Sequence, residues 1–190
     1  MRYFSFDRLY ANWVYGGFLA GLLLIGLLPV FSQGWSLAMT LVFLQLPIYM
    51  LHQYEEHDAD RFRRFVNENL GGGKELLSLF AVFIINILGV WGVNLISIFL
   101  AFSVNIGFGL IGVYLVLVNA IAHIGQCVMM RRYNPGLATA VLLFLPVSLL
   151  ALWAISKHTS FPFQCLGFLS ALAIHASIVV HVIRKKRKLP

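Results

Sequence analysis

Residues 137–156 read LATAVLLFLPVSLLALWAIS, a stretch that contains no charged residue. A helix that crosses a membrane needs about 20 apolar residues, because the hydrocarbon core is about 30 Å thick and each residue adds about 1.5 Å. The rest of the chain has the same character: 60% of its 190 residues are hydrophobic and only 11% are charged. This composition excludes a soluble enzyme, a disordered chain and a disulfide-stapled secreted module.

Five further segments are apolar enough to cross the bilayer, so the sequence predicts an all-α, polytopic transmembrane bundle of about six spans in one domain, residues 1–190. The amphipathic stretch from Asp58 to Leu70 is expected to form a short helix on the cytoplasmic surface. Residues 75–130 are too long for one helix and are expected to break near Ser103–Gly109. The other spans are expected from about Trp13 to Phe31, Ser36 to His52, Glu75 to a point between Gly92 and Phe102, Gly107 to Met130, and Phe163 to Ile183.

Basic residues mark the cytoplasmic ends of membrane helices. With six spans and both termini in the cytoplasm, only Lys157 of the 14 Lys and Arg residues falls outside the predicted cytoplasmic segments. We therefore expect a multi-pass protein of the inner (plasma) membrane. Its basic ends would contact anionic lipids, and no nucleic acid is expected as a partner. The cytoplasmic set is Arg2, Arg8, Arg61, Arg63, Arg64, Lys74, Arg131, Arg132, Arg184, Lys185, Lys186, Arg187 and Lys188.

Ionisable side chains are concentrated in His52-Gln-Tyr-Glu55-Glu56-His57, at the inner end of the second predicted span. Charged groups inside a bilayer are costly and usually mark a functional site. At about 100° per residue, Glu55 and Glu56 return to within about 60° and 40° of His52, so one helical face carries an imidazole and two carboxylates. His57 points about 140° away and is expected to belong to a surface cluster.

Two more histidines are predicted at a similar depth on other spans. His52, His123 and His175 each lie eight or nine residues before a basic residue that marks the inner face. Asn119 shares a helical face with His123 through its i, i+4 spacing. Three histidines on three helices are therefore expected near one level of the membrane.

Helices present metal ligands as imidazole and carboxylate groups at i and i+3 or i+4. His52, Glu56 and His123 would make a set of two histidines and one carboxylate. No thiolate lies in the cluster, so we expect a divalent metal, zinc or iron rather than copper(I). Glu56 is favoured over Glu55 as ligand by its smaller angular offset, which leaves Glu55 as a general base, but the helical phase alone does not decide between them. The candidate ligands are His52, Glu55, Glu56, His123 and His175, and the candidate catalytic residues are Glu55 and Asn119.

A turn is predicted between the fourth and fifth spans. Pro135 followed by Gly136 suits the central positions of a type II turn. The two arginines before it would either mark the inner face or bind a lipid phosphate.

Three motifs carry a resemblance to a known family: residues 52–56 read HQYEE, residues 119–123 read NAIAH, and residues 133–136 read YNPG. With these motifs the chain resembles the bacterial HXXEE-motif membrane protein family. The resemblance implies that His52, Glu55 and Glu56 belong to a site, and it names no reaction.

A weaker likeness is to the CAAX-processing intramembrane proteases, which have paired glutamates followed by an arginine, with His and Asn on later spans. Here Arg61 follows the glutamates after four residues instead of three, and the order of Asn119 and His123 differs. That likeness would imply a metal-free, glutamate-type hydrolase.

The leading hypothesis is a membrane-embedded, metal-dependent enzyme, a hydrolase or an oxygenase, that acts on a lipid or other apolar substrate at the cytoplasmic leaflet. The alternatives are a metal-free glutamate hydrolase, a proton-coupled transporter or metal carrier with a His/Glu relay, and a haem-binding membrane protein. The same residues also have structural explanations. The 52–56 motif would be a solvated helix end, and His123 with Asn119 would form an interhelical hydrogen bond.

Overall fold

The computed structural model describes residues 6–188, and that part of the chain is helical, with short turns and no strand. It confirms the predicted all-α bundle. Arg2, one of the basic residues assigned to the cytoplasm, lies outside the described residues. The helices are α1 (Phe6–Phe31), α2 (Leu37–His57), α3 (Arg61–Asn69), α4 (Leu79–Ser103), α5 (Ile106–Met130), α6 (Leu137–Ser156) and α7 (Phe161–Arg187).

Five of these helices, α1 and α4 to α7, are long and apolar enough to cross a membrane, so the chain is a membrane protein. The remaining long helix, α2, is less apolar because it carries buried polar residues such as Gln45, His52 and Gln53. A helix enclosed by its neighbours can carry polar groups that a lipid-facing helix cannot. The prediction of a bundle with about six long helices is confirmed.

The predicted amphipathic helix is present as a 3₁₀ turn, Asp58–Asp60, followed by α3. Asn67 fixes α3 to the segment before α4. Its Oδ1 accepts hydrogen bonds from the amides of Leu76 and Leu77, both at 2.9 Å, and its Nδ2 donates to the Leu77 carbonyl at 3.0 Å. The short helix is therefore held against the bundle by buried hydrogen bonds as well as by its apolar face.

Residues 75–130 form two long helices, with the break where it was predicted. Helix α4 ends at Ser103, and the Asn105 side chain accepts a hydrogen bond from the Gly107 amide at 2.8 Å. This cap starts the 3₁₀ turn Ile106–Gly109 that leads into the rest of α5. Because an Asn side chain competes for backbone amides, it favours a helix start over a continuous helix.

Two helices contain π-helical segments, Ile85–Gly92 in α4 and Ala140–Phe144 in α6. In α4 this segment presents Asn86 and Trp91 to α2. Gln53 donates to Asn86 Oδ1 at 2.8 Å and accepts from Trp91 Nε1 at 2.6 Å. Wide turns of this kind often occur at functional sites, and both lie next to the cluster described below.

Candidate metal centre

Three buried side chains from two helices converge in the interior of the bundle. His52 and Glu56 come from α2 and His123 comes from α5. One ligand atom from each lies within 4.8 Å of the others. His52 Nε2 is 3.5 Å from Glu56 Oε2, and His123 Nε2 is 3.5 Å from Glu56 Oε1. The structure thus brings together the two-histidine, one-carboxylate set that the sequence favoured.

The other ring nitrogen of His52 fixes its tautomer. His52 Nδ1 is 2.8 Å from Thr139 Oγ1, and the Thr139 hydroxyl donates its single proton to the Glu55 carboxylate. An ionised carboxylate can only accept, so the Thr139 oxygen is left to accept from His52 Nδ1–H. In neutral His52, Nε2 therefore carries a lone pair. This atom is fully buried and has no hydrogen-bond partner.

His123 is fixed in the same way by Asn134. The Asn134 amide nitrogen donates to the His123 carbonyl at 2.8 Å, which sets the orientation of the amide. Asn134 Oδ1 then accepts from His123 Nδ1–H at 2.7 Å. The Nε2 atom of neutral His123 therefore also carries a lone pair, and it faces Glu56.

Two nitrogen lone pairs and a carboxylate thus face one another in a buried site. With both imidazoles neutral, these atoms repel unless a cation or a proton lies between them, and burial strengthens the repulsion. For a tetrahedral ion with bonds of about 2.0–2.1 Å, neighbouring ligand atoms are about 3.3 Å apart. Each imidazole nitrogen is 3.5 Å from one Glu56 oxygen, His52 from Oε2 and His123 from Oε1, and one ligand atom from each residue lies within 4.8 Å of the others. The donor set can therefore hold a divalent metal ion.

The turn that leads into α6 closes the cluster on one side. The Leu137 amide donates to the Asn134 carbonyl at 3.1 Å, and Gly136 has φ +97° and ψ −11°. These are the features of the predicted type II turn, which is confirmed. A Cβ atom on Gly136 would lie 2.7 Å from His123 Cε1 and 2.8 Å from His52 Cε1. The turn therefore packs directly on both imidazole rings.

Glu55 lies outside the three-residue group. Its Oε1 accepts from the Tyr133 hydroxyl and, at 3.1 Å, from the Ala138 amide. Its Oε2 accepts from the hydroxyl of Thr139 and, at 2.7 Å, from the amide of Thr139. Burial, followed by the hydrogen bond to Glu55, raises the pKa of Tyr133 to about 12, so the phenol remains a donor. Glu55 thereby anchors the first turn of α6.

His57 belongs to the site, and the expectation that it lies in a surface cluster is wrong. It is buried, its Nε2 is 3.1 Å from Glu56 Oε2, and its ring packs between Trp13 and Phe62. The helical wheel gives the direction of His57 but not what covers that face, which is Trp13 of α1 and Phe62 of α3.

His175 and Asn119 line a cavity beside the cluster without joining the ligand group. His175 Nδ1 is 2.9 Å from the Ala171 carbonyl of its own helix. Asn119 donates to the Tyr49 hydroxyl. Of the three histidines expected near one level of the membrane, His52 and His123 face Glu56 at ligand distance, and His175 does not.

The sequence analysis did not identify Thr139, Asn134 or Gly136 as parts of the site. Two of them lie in the YNPG motif, which was interpreted as a turn. Their contacts with the histidines join segments up to 87 residues apart. Helical periodicity carries no information about such contacts, so only the motif itself could have drawn attention to this segment.

Comparison with known families bears on the same region. A family model described as "Protein of unknown function with HXXEE motif" matches residues 43–151. No curated protein and no solved structure gives a match. The matched region covers more than half of the chain and contains the two histidines, both glutamates and the YNPG turn. The chain therefore belongs to the HXXEE-motif family.

Proposed function

We propose that the protein is a membrane-embedded, metal-dependent enzyme whose divalent ion, zinc or iron, is held by His52, Glu56 and His123. The observation that carries the proposal is the buried, unpartnered Nε2 of His52, which faces Glu56 beside the lone pair of His123. An unpaired polar atom in the interior costs free energy, and a bound cation would remove that cost at His52.

A bound divalent ion would supply Lewis acidity and would activate water at neutral pH. Side chains of the protein would supply the charge and the orientation that such an ion needs. Glu56 supplies the negative charge, and His57 is placed to donate to Glu56 Oε2. We assign Glu55 a positioning role through Thr139, in place of the expected general base, because both of its oxygens are engaged in holding α6.

The surroundings of the cluster favour an apolar substrate. The cavity beside it is lined mostly by Val, Leu and Ile side chains. We place the site in the cytoplasmic leaflet of the inner membrane, with both termini in the cytoplasm, because the basic residues then lie on the inner side. With zinc the site would suit hydrolysis, with water as the co-reactant. With iron it would suit hydroxylation or desaturation, with dioxygen as the oxidant and an external reductant.

The proposal is tested by metal affinity. Glu56→Gln removes the charged ligand, and Glu68→Gln removes an exposed carboxylate on α3 as the control. We expect competition with a chromophoric chelator to show much weaker zinc binding for Glu56→Gln and unchanged binding for Glu68→Gln. Equal zinc affinity in both variants would refute the ligand role of Glu56 and would favour the metal-free hydrolase.

The second candidate function is a proton-coupled transporter or metal carrier. It is favoured by the third imidazole, His57, whose Nε2 lies 3.1 Å from the same carboxylate. Three histidines around one glutamate would also suit a proton relay. Zinc-independent proton flux in proteoliposomes, lost in His57→Ala, would favour this function over the enzyme.

A further inference from the structure

The cavity beside the ligand cluster has a volume of about 370 Å³ and is lined by residues of α2, α3, α4, α5 and α7. Its polar lining is concentrated on α2 and α5, around Glu56 and His123, whereas α3, α4 and α7 contribute mainly apolar side chains. Ligand pockets range from about 300 to 1,000 Å³. This cavity is therefore suited to one slender apolar ligand and is small for a lipid with several chains.

The cavity opens beside the last turns of α7. Three of its lining residues are substantially exposed: Leu70 by 41%, Val179 by 55% and Ile183 by 44%. His175, which lines the same cavity, precedes Ile183 by eight residues and so lies about 12 Å further along the axis of α7. The cavity therefore extends from an opening near the end of α7 into the bundle, where it meets the cluster.

Positive charge adjoins this opening. Ile183 is followed at once by the run Arg184-Lys185-Lys186-Arg187-Lys188, and the last turn of α7 is basic. Lys and Arg side chains attract anionic head groups by about 1 kcal/mol each near a membrane surface. The residues that line the cavity are mostly apolar, and no Lys or Arg is among the described lining residues. An anionic amphiphile would thus bind with its head outside and its chain inside.

We propose that this cavity binds the single hydrocarbon chain of an anionic amphiphile, whose charged head lies at residues 184–188 and whose chain passes the His52–Glu56–His123 cluster. This proposal rests on the proposed function and names the substrate class of that site. The reacting position is then on the chain or its linkage and not on the head group.

The test uses membrane vesicles that contain the full-length protein and a photoactivatable fatty acid with a diazirine in mid-chain. Ile178→Trp fills the cavity, and Val180→Trp places the same side chain on the exposed face of the same helix. We expect Ile178→Trp to lower the labelling of the protein by about tenfold or more, because a filled cavity excludes the chain. Labelling of Val180→Trp should match the wild type.

The role of the negative head group is tested by letting unlabelled palmitate or hexadecanol, which have equal chain length, compete with the photoactivatable fatty acid. We expect palmitate to compete better, and we expect the double variant Lys185→Gln, Lys186→Gln to reduce that advantage without touching the cavity. Equal labelling of the two Trp variants, or equal competition by the alcohol in the wild type, would overturn the proposal.

The metal content of the same samples is measured separately. A wild-type protein that is labelled but holds no metal would refute the proposed function alone. A wild-type protein that holds metal but is not labelled would refute only this inference.

Discussion

His52 and His123 each use Nδ1 to hold a neighbouring side chain and leave Nε2 facing Glu56. At His52 this arrangement is supported by a second residue, because the Thr139 hydroxyl donates its proton to Glu55 and so accepts from the imidazole. The two glutamates of the HXXEE motif thus have different tasks. Glu56 faces the imidazoles, and Glu55 sets the tautomer of the histidine three residues before it through Thr139.

Glu55→Gln and Thr139→Val should each weaken zinc binding by about 10- to 100-fold, the range for residues that orient a ligand. The double variant should be little worse than either single variant, because both act through one hydrogen-bonded chain. Glu75→Gln, which removes an exposed carboxylate paired with Arg63, serves as the control. Zinc titration of the four variants is the measurement. If Thr139→Val bound zinc like the wild type while Glu55→Gln lost it, Glu55 would be a direct ligand.

The turn at residues 134–137 matters as an element, because it carries Asn134 to His123 and starts the helix that carries Thr139 to His52. Its type II geometry follows from Pro135 and Gly136 and was predictable. Its position on the two rings was not, because that contact is set by the packing of α6 against α2 and α5. The same holds for His57, which is buried because Trp13 and Phe62 from other helices pack on its ring.

Gly136→Ala should abolish zinc binding, because the new methyl group would lie within 3 Å of both imidazole rings. Gly72→Ala is the matched control. Gly72 also has a positive φ, +61°, but a Cβ there would meet open space. The left-handed conformation costs both variants about 1–2 kcal/mol of stability. Thermal unfolding and zinc content should therefore show destabilisation in both and loss of metal in Gly136→Ala alone. Retention of zinc by Gly136→Ala would show that the turn does not close the site.

For the whole molecule, the apolar runs were enough to predict the bundle and most helix ends. Residues 137–156, for example, form one helix with those bounds. The apolar runs did not distinguish α2 from the other long helices, although α2 is the most buried of them and carries two of the three candidate ligands. The burial of α2 depends on how the other helices pack around it. The periodicity of the α2 sequence indicates only which of its residues share a helical face. The His52–Glu56–His123 set was predictable because phase and depth are both properties of single helices.

Six crossings with both termini in the cytoplasm would place the α4–α5 turn and the end of α7 on opposite sides of the membrane. Reporter fusions after Ser103 and after Arg187 measure this directly. We expect an alkaline phosphatase fusion to be active after Ser103 and inactive after Arg187, since the basic end of α7 is retained inside. Activity at both positions, or at neither, would rule out the six-span topology and the cytoplasmic location of the site.

The most direct measurement of the metal centre is the zinc and iron content of the full-length protein, determined by mass spectrometry after purification and metal loading. His52→Ala removes the unpartnered ligand, and His181→Ala removes an exposed histidine of α7 as the control. We expect about one divalent ion per chain in the wild type and in His181→Ala, and a loss of that ion in His52→Ala. A wild-type protein that holds no divalent ion, or a His52→Ala variant that holds as much as the wild type, would contradict the metal centre.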